Sequence, residues 1–290
     1  MLNGVLNIYK PKGITSFDVV RKIRKISSEK KVGHAGTLDP QACGVLPVCI
    51  GRSTKIINYI MENSKTYITT LKLGIITDTY DTEGKIIKTS EITDVTNDKI
   101  IQVVKSFEGS IEQIPPMYSA IKVNGKRLYE LARKGIEIER KPRNVVIHEI
   151  QILNIDIPFV QLKVSCSKGT YIRSLCYDIG EKLKCGSVMW ELERTKTGQF
   201  TKENSIELSE LNTENIQNFL MSSEEVLKKY SKIEFSDKFG KLLKNGVVLK
   251  DKRAVKNVSS NVLYRVYCCD NFLGLGMLTD NGFKLIKQLG

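Results

Sequence analysis

From Lys65 to Gly74 the chain alternates strictly, with Tyr67, Thr69, Leu71 and Leu73 on one side and Ile68, Thr70 and Lys72 on the other. A period of two marks a strand with one face in a core and the other wetter, so this chain must build a sheet. Gly4–Ile8, Val45–Ile50, Val145–Leu153, Phe159–Cys166 and Met189–Thr195 supply further apolar strand runs. Helices separate them. Thr15 and Asp18 form a capping-box-like start, after which Phe17, Val20, Ile23 and Ile26 make an apolar stripe opposite Arg21, Lys22, Arg24 and Lys25. Ile56, Ile57, Ile60 and Met61 predict a buried helical stripe, and Ile100, Ile101, Val104 and Phe107 another amphipathic helix. Gly169–Arg173 leads into a helix with Leu175, Ile179 and Leu183 on one side. With 290 residues, 41% of them hydrophobic, the chain can bury a sizeable core arranged as one large domain and one small one.

The charge balance points to a polyanion. Lys and Arg number 45 against 32 Asp and Glu, a formal charge of +13, which favours nucleic acid as a partner. Seven cysteines include no Cys-x-x-Cys pair, and His34 and His148 are the only imidazoles, so disulfide frameworks and zinc sites are disfavoured and no metal is expected. The thiols read as small core residues of a reducing compartment. No stretch approaches the roughly 18 apolar residues of a membrane span, and Lys10 follows Met1–Tyr9 too early for a signal-peptide core. A cytoplasmic protein without membrane contact is expected. Gly51-Arg52-Ser53 lacks the lysine and the upstream glycine of a phosphate loop.

Residues 115–143 differ in character, with eight Lys or Arg against three Glu over Lys122–Arg143 and with Tyr118 and Tyr129 interleaved. Leu128, Leu131 and Ala132 predict a short helix closed by Gly135. Aromatic faces stack bases while cations hold phosphates, so this basic insertion suits RNA, although a hairpin with a solvated face has the same composition. From Ile233 to Gly290, short β-like runs at Val247–Leu249, Val262–Tyr267, Phe272–Met277 and Phe283–Ile286 predict a small all-β module, with ten Lys or Arg against five acids.

The chemistry centres on Val32-Gly33-His34-Ala35-Gly36-Thr37-Leu38-Asp39-Pro40, which places one carboxylate and one imidazole on a Gly-punctuated loop. Pro40 pushes Asp39 toward extended backbone, and apolar flanks would raise its pKa unless a cation opposes them. On spacing alone, a turn residue before proline is the commoner reading. Arg173, a cation at a helix N-terminus, opposes the helix dipole, so either a carboxylate or phosphate compensates it or it is simply solvated. No second acid pairs with Asp39 as glycoside hydrolysis needs, and a single Asp with an Arg partner suits nucleophilic catalysis better.

The run Gly33–Pro40, followed by Gly44-Val45-Leu46-Pro47, resembles the catalytic motif of the TruB-type tRNA pseudouridine synthases. Lys10-Pro11-x-Gly13-x-Thr15-Ser16, Lys65-Thr66-Tyr67 with Leu73-Gly74, Thr77-Asp78-Thr79, Pro115-Pro116-x-Tyr118-Ser119-Ala120, Gly169-Thr170-Tyr171-Ile172-Arg173 and Leu192-x-Arg194-Thr195 extend the resemblance in order. Leu273-Gly274-Leu275-Gly276 adds a similarity to the short PUA-like domain of bacterial members. The resemblance implies an α+β pseudouridine-synthase fold with a mixed, largely antiparallel central sheet flanked by helices. It divides the chain into a catalytic domain at 1–230, with an RNA-clamping thumb at about 115–143, and a PUA-like RNA-binding domain at 231–290. It implies a cofactor-free, monomeric enzyme that isomerises uridine 55 in the T-arm stem-loop of tRNA to pseudouridine. Asp39 would be the nucleophile on ribose C1′ or uracil C6, Arg173 its ion-pair partner, and Tyr67 the residue stacked on the base and near the C5 proton. His34 would fill the space left by flipped bases, Leu192 would exclude water, and Lys10 and Pro11 would support the catalytic loop on the substrate side. Lys126 and Arg127 would bind phosphates. Glu193 stands where many members carry arginine, a departure that leaves Leu192 intact and puts only a phosphate contact in doubt. A non-catalytic RNA-binding factor would share the basic features without needing Asp39, Tyr67 and Arg173 together.

Overall fold

Strand pairing brings distant segments of this chain together. The computed structural model describes residues 2–119, 121–123, 125–251, 253–256 and 258–290. Ala120 of the Pro115–Ala120 motif and Asn124 of the 115–143 insertion lie outside the described residues. The body begins with β1 (Gly4–Lys10), α1 (Ser16–Ser27), β2 (Val32–His34), β3 (Cys43–Ile50), a 3-10 turn at Gly51–Ile56 and α2 (Ile57–Met61). It continues with β4 (Lys65–Leu73), β5 (Ile75–Thr77), β6 (Ile86–Thr89), α3 (Asn97–Lys105) and β7 (Gly109–Gln113). The 115–143 insertion holds β8 (Lys122–Val123), β9 (Lys126–Arg127) and α4 (Leu128–Ala132). After it come β10 (Arg143–Asp156), β11 (Phe159–Cys166), α5 (Ile172–Leu183), β12 (Ser187–Thr197), β13 (Phe200–Thr201), β14 (Ile206–Glu207) and α6 (Ser223–Val226).

The large sheet runs β14-β1-β3-β12-β4-β11-β10-β7, with β2 beside β3 and β13 beside β12. The β1–β14 and β3–β12 pairs are parallel, and the remaining pairs are antiparallel. The sheet is therefore mixed and largely antiparallel, with helices packed on it, as the resemblance implies. The β4 alternation is borne out: Lys65, Tyr67, Thr69, Leu71 and Leu73 are buried, and the residues between them are half-buried. At the parallel contact, Gly44 of β3 lies opposite Arg194 of β12. A Cβ at Gly44 would stand 2.2 Å from the Arg194 carbonyl oxygen, and φ there is +110°, so only glycine permits this approach.

The capping box of α1 forms as the sequence predicts, Thr15 Oγ1 accepting from the Asp18 N–H and Asp18 Oδ2 accepting from the Thr15 N–H. Its buried arc is Val19, Val20 and Ile23, and Phe17 is 53% exposed, a correction to the predicted stripe. Arg21 and Arg24 explain the shift, their guanidinium carbons lying 5.8 and 5.7 Å from the Phe17 ring centroid. Ile101 and Met61 also face outward, because α3 turns Ile100, Val103 and Val104 into the core and α2 turns Ile60. The predicted closure of α4 holds, with Gly135 at φ +70°.

The C-terminal module comprises β15 (Ser231–Phe235), α7 (Asp237–Lys244), β16 (Leu263–Cys268), β17 (Asn271–Thr279) and β18 (Gly282–Gln288), with sheet order β15-β16-β17-β18. It is β-rich but not all-β: α7 lays Leu243 against Phe235, Val266 and Phe283, and Val247–Leu249 contributes only a bridge from Leu249 to Phe283. The module docks on the body through Leu275 and Leu289, which share a buried cluster with Val5, Ile56 and Ile60. Burying each such side chain contributes roughly 1.5–3 kcal/mol. Arg52 Nη1 and Lys55 Nζ donate to the carbonyls of Gly290 and Gln288, both at 2.8 Å, and tether the chain's end.

Candidate active site

Asp39 sits on the loop between β2 and β3, and both its neighbours are pinned. Ser16 Oγ of α1 donates to the Leu38 carbonyl at 3.0 Å and accepts from the Leu38 N–H at 2.9 Å. The Gly13 N–H and Lys10 Nζ donate to the Pro40 carbonyl at 2.8 and 3.2 Å. The loop is thus held through its main chain, which leaves the Asp39 carboxylate to face Arg173. The Asp39 side chain is 35% exposed.

Arg173 lies in the first turn of α5 with its side chain 7% exposed. Its Nε stands 3.0 Å from Asp39 Oδ2 and its Nη1 3.2 Å from Asp81 Oδ2. Nη1 and Nη2 also donate to the carbonyls of Thr79 at 3.2 Å and Tyr118 at 2.7 Å. The compensating carboxylate asked for by a cation at a helix N-terminus is present, and there are two. Asp81 is itself fixed, with Oδ1 accepting from Thr79 Oγ1 at 2.5 Å and from the Glu83 N–H at 3.0 Å. Burial pushes the Asp39 carboxyl above its ordinary range, Arg173 opposes that shift, and the Asp81 charge adds to it. The guanidinium fills the position between the two carboxylates, so this donor set offers a cation its own charge partner and leaves no cage for a metal.

Tyr67 of β4 faces Arg194 of β12 across the antiparallel pair, and Leu192 faces Thr69 two residues along. Tyr67 and Leu192 are 9% and 7% exposed, at the edge of the main core. Burial raises the Tyr67 phenol and the neighbouring Arg194 opposes the shift, so the phenol is neutral at physiological pH. Arg194 is 1% exposed and has no carboxylate within ion-pair distance among the described residues. Its Nε, Nη2 and Nη1 donate to the carbonyls of Val45 at 2.8 Å, Gly36 at 3.0 Å and Thr37 at 3.4 Å. It therefore fixes the start of the Asp39 loop from the side opposite Lys10.

His34 ends β2, its Nδ1 buried without a partner, and burial together with Arg194 lowers its pKa. A neutral ring results. Lys10 ends β1 fully covered, with Nζ donating to Pro11 and Ile14 carbonyls at 2.8 Å as well as to Pro40. Burial pushes its ammonium down to about 8. Its contacts are those of a loop support, and Pro11 is the exposed member of the pair. Lys126 and Arg127 stand exposed on β9, and Arg127 and Arg133 flank the Tyr129 ring at 5.8 and 5.5 Å. Glu193 is engaged by Tyr9 Oη at 2.7 Å and Lys202 Nζ at 2.6 Å, so its carboxylate already has a cation.

The sequence missed Asp81, although the Thr77-Asp78-Thr79 motif stops just two residues before it. It gave Arg194 no role although the residue lies in the Leu192–Thr195 motif. A long-range pairing, not a local pattern, gives each its place.

Residues 24–172 match the TruB family pseudouridylate synthase (N terminal domain), and residues 173–230 match the tRNA pseudouridylate synthase B C-terminal domain. The chain is 57% identical over 288 residues to the tRNA pseudouridine synthase B of Clostridium tetani (strain Massachusetts / E88), covering 99% of this chain and 100% of that one. It is 59% identical over 289 residues to that of Clostridium novyi (strain NT), with the same coverage. The chain belongs to the TruB family. As a TruB-family protein it is a pseudouridine synthase, an isomerase. Among solved structures, a Cbf5-Nop10-Gar1 complex superposes with a TM-score of 0.75 at 28% identity, covering 99% of this chain and 85% of that one. The archaeal box H/ACA sRNP Nop10-Cbf5 complex gives 0.74 at 27% identity, covering 99% and 86%. The boundary between the two TruB matches falls inside α5, and β12 and β14 beyond it complete the same large sheet.

Proposed function

We propose that this pseudouridine synthase acts on tRNA and converts uridine 55 of the T-arm stem-loop, with Asp39 as nucleophile. The pairing of Arg173 with Asp39 at 3.0 Å carries the reading, because it keeps a partly buried carboxylate ionised and aimed. The uridine must leave the stack to be reached. Asp39 then attacks C1′ or C6, the N1–C1′ bond breaks, the uracil turns in place, C5 bonds to C1′, and the bond to Asp39 breaks to return the free carboxylate. The C5 proton leaves and N1 gains one, so the atoms balance without a cofactor. Tyr67 stacks on the base beside C5, and its neutral phenol suits a proton relay. Leu192 closes the pocket against water, which would otherwise leave an abasic site. His34, neutral and uncommitted at Nδ1, fills the space left by the extruded base.

Residues 1–230 form the catalytic domain in this reading, 115–143 the thumb that clamps the RNA through Lys126 and Arg127, and 231–290 a PUA-like RNA-binding module. A monomer is part of this reading, and tRNA as substrate supports a cytoplasmic enzyme. No described helix is long and apolar enough to cross a membrane. The test is Asp39→Asn on an unmodified T-arm stem-loop, with pseudouridine mapped by mass spectrometry and affinity measured in parallel. Binding without product is expected; product formation by the folded variant refutes the assignment of Asp39.

A further inference from the structure

The C-terminal module carries a second cluster of chemically able side chains, far in sequence from Asp39. Strand β16 ends at Cys268, β17 begins at Asn271, and the two residues between them, Cys269 and Asp270, have φ of 48° and 61°. Neighbouring side chains on a strand point to opposite faces. The left-handed turn cancels that alternation and brings Cys269 Sγ to 3.9 Å from Cys268 Sγ. Asp237, the first residue of α7, completes the group, with a carboxylate oxygen and both sulfurs all within 4.8 Å of one another. Gly240 makes the arrangement possible, because a Cβ at that position would lie 2.1 Å from Cys268 Sγ and force the helix away from the hairpin.

We propose that Asp237, Cys268 and Cys269 form a binding site for a thiophilic divalent cation such as Zn²⁺. Two sulfurs on a tetrahedral zinc, each about 2.3 Å from the metal, stand roughly 3.8 Å apart, so the two thiols are already at the spacing of one edge of the polyhedron. Aspartate is an ordinary third ligand, and one position stays open to water. Lys241 Nζ holds Asp237 Oδ2 at 2.7 Å, and a carboxylate has lone pairs enough to keep that contact while it ligates a metal. The charges close as well: two thiolates and a carboxylate on a dication leave one negative charge, and Lys241 balances it. The absence of a Cys-x-x-Cys pair hid this site in the sequence, because its ligands are an adjacent pair turned together and an acid from the preceding helix. Bound metal would clamp the start of α7 to the β16–β17 hairpin.

The full-length chain, reduced and stripped of metal by chelator dialysis, is titrated with ZnCl₂ by calorimetry and with CoCl₂ by absorption. One equivalent of Zn²⁺ is expected, and the Co²⁺ complex should show thiolate charge-transfer bands with the intense visible bands of tetrahedral cobalt. Cys269→Ser and Asp237→Asn alter exposed side chains, and circular dichroism checks that both variants fold. Each should lose at least about tenfold in Zn²⁺ affinity, in line with what removing even supporting groups costs a metal site. Absence of stoichiometric binding, a cobalt spectrum without thiolate bands, or undiminished affinity in either variant overturns the proposal.

Discussion

Replacing Asp81 by Asn takes one charge away from Arg173 while keeping the shape of the side chain. Arg173 then retains Asp39 and the carbonyls of Thr79 and Tyr118, but its Nη1 faces an amide in place of a carboxylate. Breaking a buried ion pair costs about 3–5 kcal/mol when the surviving charge is stranded. Here it is not stranded, since Asp39 stays at 3.0 Å, and the Asn oxygen can still accept from Thr79 Oγ1 and the Glu83 N–H. The expected loss is therefore nearer that of one charge-assisted hydrogen bond, about 1.5–3 kcal/mol. A domain with about 5–15 kcal/mol of stability stays folded after such a loss. Activity should respond more strongly, because Asp81 helps set the angle from which Arg173 meets Asp39, and a misplacement of about 1 Å at a reacting group costs on the order of a hundredfold. We expect kcat to fall about 10–100-fold with RNA affinity little changed, since Asp81 is only 5% exposed and offers RNA no surface. Single-turnover tritium release from a T-arm stem-loop carrying C5-tritiated uridine gives the rate, filter binding gives the affinity, and thermal melting gives the stability. Asp81→Asn protein that is folded yet turns over at the wild-type rate would refute the positioning role. So would a variant whose whole defect is weakened binding.

Arg194→Met strands three carbonyl oxygens at about 1–3 kcal/mol each, partly offset by removal of a buried charge. A net loss of about 2–4 kcal/mol in melting experiments is expected, with Arg194→Lys recovering only part of it because an ammonium cannot reproduce the fork. Asp39 carries the pH dependence: its folded pKa is raised above the unfolded value, so ionisation is harder in the folded protein and costs stability as pH rises through that window. Asp39→Asn should therefore melt at or above the wild-type temperature at neutral pH and lose this advantage in acid, and a lower melting temperature at neutral pH contradicts the sign. The same shift puts the acid limb of the kcat profile above the usual value for Asp of about 3.9, and Asp81→Asn should move that limb down. Replacing Lys126 and Arg127 by Ala should reduce the slope of log affinity against log salt by roughly 0.7–0.9 for each phosphate these cations neutralise, and an unchanged slope means they are only solvated.

What the sequence made legible follows the range of the interactions involved. The β4 alternation, the Thr15–Asp18 capping box and the Gly135 closure are local, set by residues within one turn or one strand, and each forms where the pattern predicts. The apolar stripes of α1 and α3 were less secure because helix periodicity fixes an arc but not its centre. Phe17 settled under two arginines, and Ile101 yielded the core to Val103. In the site, Asp39 and Arg173 each break a local rule, one as an acid among apolar flanks and the other as a cation at a helix N-terminus, but spacing alone left Asp39 a turn residue and Arg173 a solvated cation, and the resemblance supplied their roles. Asp81 violates none: an aspartate in a polar turn is unremarkable until strand order folds that turn over α5 and places its carboxylate 3.2 Å from Arg173. Arg194 is hidden for the same reason, since only the parallel contact of β12 with β3 buries its charge against the carbonyls of the Asp39 loop and of β3. The residues a sequence exposes are thus those in conflict with their neighbours, and the ones it conceals are those that resolve the conflict from a distance. That division predicts where further supporting groups of this site lie: on strands that meet the Asp39 loop only through the sheet.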